Sequence, residues 1–297
     1  MQAGYTIRIA AISVLVGLVV LAIKSFAYYL TGSIALYSDA LESVVNIATA
    51  AAALVAVRLS ARPADATLPY GYHKAEYFSA VLVGALIVIA AFSIFREAYL
   101  GIRDPRPLDI PLAGLAVNGL ATVINAVWCW VLLREGRRSR SPALTADGKH
   151  LLTDALSSTG VLAGVAAAVG TGFDILDPVL AACVALNILW SGWGLIKESV
   201  GGLMDVAVPA GQLARIRELI AANAEGAIEA HDIRTRQAGR MTFIDFHLVV
   251  PGRMSVDDAH AICDRIEHRL KDEVRHCLIT IHVEPENKAK HSGIVVL

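Results

Sequence analysis

Two stretches of this 297-residue chain set acids, an amide and a histidine at helical spacing. Asp39, Glu42 and Asn46 lie in one segment, SDALESVVN; Asp147, His150 and Asp154 lie in another, ADGKHLLTD. Both sets follow i, i+3, i+7, so each places three polar side chains on one helical face. Glu42 with Asn46, and His150 with Asp154, form i, i+4 pairs, a spacing at which two side chains can share an ion. Two such helices facing each other offer four oxygen or nitrogen ligands at one depth, a set that suits a divalent first-row cation. The plainer use of such groups is interhelical hydrogen bonding, and for a single Asn that reading is preferred. Two matched stripes with acids and a histidine favour metal. Asp39 and Asp147 sit one turn nearer the helix starts, where they either support the ligands and relay protons or cap the helices.

The elements carrying these residues are apolar. Hydrophobic residues make up 56% of the chain and charged residues 18%, with a mean hydropathy of +0.56. Soluble domains are nearer half apolar and a quarter charged, so disorder is excluded and a purely soluble protein disfavoured. Six stretches reach the ~20 apolar residues a spanning helix needs: 7–29, 33–57, 77–99, 112–133, 144–169 and 175–196. The stripes fall in the second and fifth. Charge at bilayer depth is costly, which makes each stripe a functional hypothesis. A secretory signal at 7–29 is disfavoured, because Lys24 and Tyr28-Tyr29 follow without a small-residue cleavage site. Basic residues crowd the second-to-third connection (Arg58, Arg62, Lys74) and the fourth-to-fifth (Arg134, Arg137, Arg138, Arg140, Lys149), against only Arg103 and Arg106 in the third-to-fourth. The positive-inside rule therefore predicts a multi-pass protein of the inner (cell) membrane with both termini cytoplasmic. A net charge of −1 gives no electrostatic case for nucleic acid. Cys129, Cys183, Cys263 and Cys277 show no CxxC spacing and read as inert thiols. No triad, P-loop or dinucleotide motif suggests an enzyme.

Composition changes after Asp205. Pro209 opens an amphipathic helix through Leu213, Ile216, Leu219 and Ile220. Strands follow at 227–237 and 241–250, the second alternating Ile244, Phe246, Leu248 and Val250 against Phe243, Asp245 and His247. Ser255 caps a helix to about 274, and 278–284 is a last strand, with His282 and Glu284 on one face. The order α-β-β-α-β predicts a small two-layer α/β domain with an antiparallel sheet covered by helices. The domains are then 1–204, 205–287 and a mobile tail at 288–297.

With these residues in view, the chain resembles a cation diffusion facilitator, most nearly the bacterial ferrous-iron and zinc efflux branch. The resemblance rests on Ser33-Ile34-Ala35-Leu36, Tyr70-Gly71-Tyr72-His73-Lys74-Ala75-Glu76, His150-x3-Asp154, Asp177-Pro178, Leu203-Met204-Asp205 and His231-Asp232-Ile233-Arg234-Thr235-Arg236. It implies six transmembrane helices and a metallochaperone-like cytoplasmic α/β domain. It further implies a homodimer in a lipid bilayer, exporting divalent cations against protons by alternating access. The transport ligands would be Glu42, Asn46, His150 and Asp154. A cytoplasmic site would fall on His231, His247, His260, His282 and Glu284, and Lys74 and Asp205 would interlock subunits. The metal, with zinc or ferrous iron foremost and cobalt, nickel, manganese and cadmium behind, would be substrate and also regulator. A membrane metal sensor without net flux is the competing reading.

Departures from that branch matter. It carries two aspartates where this chain has Glu42 and Asn46, so the formal ligand charge drops to −2 and the cation preference shifts. It carries an Asp-x2-His-x3-His metal site in the loop after the second span. Here Asp65 is followed by Leu68 and Tyr72, with His73 out of register, so that site is expected to be weak or lost.

Overall fold

The computed structural model describes residues 2–31, 34–103, 112–171, 175–290 and 294–295. It divides into two compact units, Met1–Val200 and Gly201–Leu297.

The first unit is built from six helices: α1 (Gln2–Thr31), α2 (Ile34–Ser60), α3 (Ala75–Arg103), α4 (Leu112–Ser139), α5 (Pro142–Thr171) and α6 (Leu176–Leu203). Each runs a turn or so beyond its apolar stretch. At 27–30 residues they reach about 40–45 Å, longer than the ~30 Å hydrocarbon core of a bilayer. Among the described residues, four windows are long and apolar enough to cross a membrane: Gly4–Phe26, Ser43–Ser60, Ala75–Arg103 and Pro178–Leu203. The fifth helix is of the same length but carries Asp147, Lys149, His150 and Asp154 in its first half.

The helices pack through two apolar clusters that share α5. One joins Ile9 and Ala10 of α1, Ala53 and Val57 of α2, Cys129 and Leu132 of α4, and Leu144 and Leu151 of α5. The other joins Val83 and Ile87 of α3, Ala146 of α5, and Ile188 and Leu195 of α6. Small residues bring these backbones close, as is usual for helices that meet in lipid. A Cβ on Gly148 of α5 would come within 3.0 Å of the Leu133 side chain of α4. At the same contact the Cys129 thiol donates to the Gly148 carbonyl at 3.3 Å. Large apolar side chains such as Leu15, Phe78, Phe92, Trp130 and Trp190 stay exposed on the outside, where lipid rather than water is their natural solvent. Pro142 sits at the first position of α5, which suits its missing N–H. Ser141 caps that helix: its hydroxyl accepts from the Leu144 amide at 3.3 Å and donates to the buried Glu76 carboxylate in the first turn of α3.

The second unit contains α7 (Ala210–Asn223), β1 (Glu229–Ala238), β2 (Met241–Val250), α8 (Val256–Glu273), β3 (Cys277–Pro285) and the short β4 (Ile294–Val295). The sheet order is β3-β2-β1-β4. Ile244, Phe246, Leu248 and Val250 form its core with Ile216, Leu219 and Ile220 of α7 and Ile262, Ile266 and Leu270 of α8, so both helices cover one face. Pro209 stands just before α7, its carbonyl accepting from Leu213 at 3.0 Å, and the Ser255 hydroxyl caps α8 by accepting from the Asp258 amide at 3.1 Å.

One expectation is corrected. The sheet is mixed, because β2 and β3 pair parallel. The chain crosses between them through α8 on one face, and such a crossover returns the strand in the same direction. Beyond Asn287, Ile294–Val295 pairs antiparallel with β1, and Lys290 donates to Asp232 at 2.6 Å.

Candidate metal sites

The polar stripe of α5 points into the protein. Asp147, His150 and Asp154 are 1%, 4% and 6% exposed, and Asn46 of α2 is 5% exposed. The side chains of Asp39 and Glu42 lie outside the described residues. Asn46 Oδ1 is buried without a hydrogen-bond partner among the described residues. Burying an amide carbonyl unsatisfied costs free energy, which a cation or a proton donor at that atom would recover. Asp147 is a turn inside α5 and accepts from the Ser13 hydroxyl of α1 at 2.7 Å, so it does not cap the helix. Asn46 and Asp147 line one small cavity with Ser13, Ser43, Asn125 and Trp128.

A second cluster forms on the face of the α/β sheet opposite α7 and α8. Pairing places His231 of β1 opposite His247 of β2, and His247 opposite His282 of β3. The three rings form a ladder, with centroids 5.3 Å and 5.0 Å apart. Glu284, two residues beyond His282 on the same face, is where they converge. Its carboxylate lies 3.3 Å from His231 Nε2, 3.3 Å from His247 Nδ1 and 3.7 Å from His282 Nε2. An ion with ~2.0–2.1 Å bonds to nitrogen and oxygen holds tetrahedral ligand atoms about 3.3 Å apart. The 3.3 Å contacts of Glu284 with His231 and His247 match that separation, while the ligand atoms that lie mutually within 4.8 Å are, among the described residues, those of His231, His247 and Asp232.

The sequence reading missed Asp232, whose carboxylate lies with ligand atoms of His231 and His247 inside a 4.8 Å circle. Strand alternation would send Asp232 to the opposite face. A register shift follows His231, and Asp232 takes the left-handed φ of 52°. Its carboxyl is held below the usual range by the Lys290 hydrogen bond. His260 does not join the ladder within one chain. It lies on α8, in the helical layer, with a 73% exposed side chain 3.6 Å from Asp264.

The loop between α2 and α3 is closed by hydrogen bonds. Asp65 Oδ1 accepts from the Thr67 amide (2.9 Å), the Thr67 hydroxyl (2.6 Å) and the Leu68 amide (2.8 Å), and Oδ2 accepts from the Tyr72 phenol (2.6 Å). These bonds, the Thr67 hydroxyl foremost, hold the Asp65 carboxyl well below the ordinary carboxylate range, and Asp65 in turn raises the Tyr72 phenol. His73 folds back over Gly71, 3.0 Å from where a Cβ on that glycine would stand. In the second unit, Asp205 accepts from Arg236 at 3.2 Å, and that guanidinium stacks 4.0 Å above the Phe243 ring.

A transmembrane-domain model of the cation efflux family matches residues 10–204, and the cytoplasmic-domain model of cation efflux proteins matches 208–286. The chain belongs to the cation efflux family. It is 41% identical over 276 residues to an uncharacterized transporter of Synechocystis sp., covering 93% of this chain and 89% of that one. It is 30% identical over 271 residues to the cation-efflux pump FieF of Yersinia pestis, covering 90% and 88%. Among solved structures, the zinc form of a candidate zinc transporter, CzrB, is 41% identical over 28% of this chain and 96% of that chain, with a TM-score of 0.28. This cation efflux protein is thus a membrane protein whose six long helices form the transmembrane domain and whose α/β unit is the cytoplasmic domain.

Proposed function

We propose that this chain exports a divalent first-row cation from the cytoplasm in exchange for protons. The observation that carries the reading is the burial of Asn46, His150 and Asp154 inside α2 and α5, helices of the transmembrane domain. Charged and titratable groups are kept there when an ion or proton uses them.

The cation binds Glu42, Asn46, His150 and Asp154 from the cytoplasmic side. Protons compete for the same ligands, because a protonated imidazole has no free electron pair and a protonated carboxylate has no charge. Acid on the far side then expels the ion. Sharing of α5 by the two apolar clusters lets a shift of that helix open one side while closing the other. The protein works as a homodimer in the inner membrane with both termini cytoplasmic, and Lys74 and Asp205 interlock the subunits near the membrane surface. The ladder of His231, His247 and His282 with Glu284 binds the same class of metal and reports its cytoplasmic concentration, His260 joining from another copy of the chain. The loop site at Asp65 and His73 is lost, since Tyr72 and the backbone now occupy the Asp65 oxygens.

The test uses purified full-length protein in proteoliposomes. An internal pH dye and a metal-sensitive fluorophore are read for zinc, ferrous iron, manganese, cobalt, nickel and cadmium. Metal uptake with opposite proton movement is expected, with at least tenfold loss in His150→Ala and Asp154→Ala. Flux without proton movement would make the protein a uniporter. Binding without flux for every ion would favour a sensor centred on the histidine ladder.

A further inference from the structure

His231 is 3% exposed, and neither ring nitrogen has a hydrogen-bond partner among the described residues. A carboxylate stands off each nitrogen instead: Glu284 lies 3.3 Å from Nε2, and Glu229 lies 3.7 Å from Nδ1. Glu229 is 1% exposed, an unusual burial for a carboxylate. The sheet explains its position. Glu229 pairs with Val249, and Val249 pairs with Glu284, so these three form a cross-strand row beside the histidine row His231, His247 and His282. Val249, fully buried, separates the two acids and keeps water from the space between them.

We propose that Glu229 is the positioning residue of the cytoplasmic site: it receives the Nδ1–H of His231 and so commits Nε2 to the metal, on the side of Glu284. The proposal rests on the metal-site reading of the ladder. Histidines that ligate metals nearly always donate their second ring N–H to a carboxylate or carbonyl, which fixes the ring and raises its basicity. At 3.7 Å the Glu229 contact is longer than a hydrogen bond. A cation on Nε2 makes Nδ1–H a stronger donor and draws the pair together. Val249 offers no polar group that could take this role, and Glu284 is committed to the opposite nitrogen.

The experiment uses the full-length protein in detergent, in the Asp154→Ala background, so that the intramembrane site does not contribute. Zinc affinity is measured by competition with a chelator for the parent and for Glu229→Leu, which removes every acceptor at this position. The cobalt absorption spectrum reports the ligand set, and metal-free thermal unfolding confirms that the variant folds. A tenfold to hundredfold loss of zinc affinity, roughly what removal of such a supporting partner costs, is expected with cobalt bands unchanged. A second readout is the nitrogen-15 signal of zinc-loaded His231, whose Nδ1 proton should exchange slowly in the parent and rapidly in Glu229→Leu. Unchanged zinc affinity would overturn the proposal. Altered cobalt bands would also overturn it, by making Glu229 a direct ligand. If His231→Ala binds zinc as the parent does, the metal reading of the ladder itself fails, whatever Glu229 does.

Discussion

At the scale of single residues, the proposed transport ligands differ from the resembling branch at two positions, Glu42 and Asn46, and the consequence of the amide can be measured. Asn46 presents a neutral carbonyl oxygen, buried and unsatisfied among the described residues, where a carboxylate would present charge. Charge-assisted contacts are about twice as strong as neutral ones. Asn46→Asp should therefore tighten zinc binding by about tenfold, or ~1.4 kcal/mol, and shift the ion ranking toward harder cations. Isothermal titration of the variant across the metal panel checks this; an unchanged ranking would remove Asn46 from the ligand set. His150, Asp154 and Asn46 were legible because helical spacing is visible in sequence and charge in an apolar span stands out. Asp232 was not legible, because a single left-handed residue turned its side chain to the other face of the strand. Glu229 was overlooked for a different reason. Its burial depends on a row of partners in two other strands, and no local pattern encodes that row.

At the scale of elements, the loop before α3 shows one kind of order replacing another. Asp65 gathers the chain by accepting four hydrogen bonds, including that of Tyr72, which stands at a position where the resembling branch has a metal-binding histidine. The loop should therefore be ordered without metal. Because the folded carboxyl titrates below its unfolded value of about 3.9, its contribution is complete above that pH and is lost as pH falls through the depressed folded value. Exchange protection of the Thr67 and Leu68 amides should be constant from pH 7 to 5, insensitive to zinc, and several-fold weaker in Tyr72→Phe. Zinc-dependent protection would restore the metal site to this loop. Element boundaries were largely readable: the sequence predicts a strand at 241–250, and β2 runs Met241–Val250. Strand direction was harder to read. The parallel pairing of β2 and β3 requires that β3 dock beside β2 after the α8 crossover, and this depends on tertiary packing.

At the scale of the whole molecule, the division into a transmembrane domain and a cytoplasmic domain was legible from composition alone, since hydropathy falls away near residue 205. What composition could not supply is the traffic between the domains. If the ladder reports cytoplasmic metal, replacing His231, His247 and His282 together should leave transport running but remove its steep dependence on metal. The Hill coefficient of uptake would then fall toward about 1, because a ligand shifts a two-state equilibrium only by its differential affinity. An unchanged metal dependence in proteoliposomes would leave the domain a dimerisation module.

The thiol between α4 and α5 makes the molecule its own instrument. Cys129 rests on the Gly148 peptide, immediately after Asp147 and two residues before His150. If water reaches the proposed ion site from this side, that contact is expected to part. A membrane-permeant maleimide should thus label Cys129 at a rate set by how often the transporter faces one way. Labelling after denaturation, when every thiol is open to water, serves as the standard. Saturating zinc or an imposed proton gradient should change that rate in opposite directions. The transport cycle could then be timed on the natural sequence, with no engineered reporter.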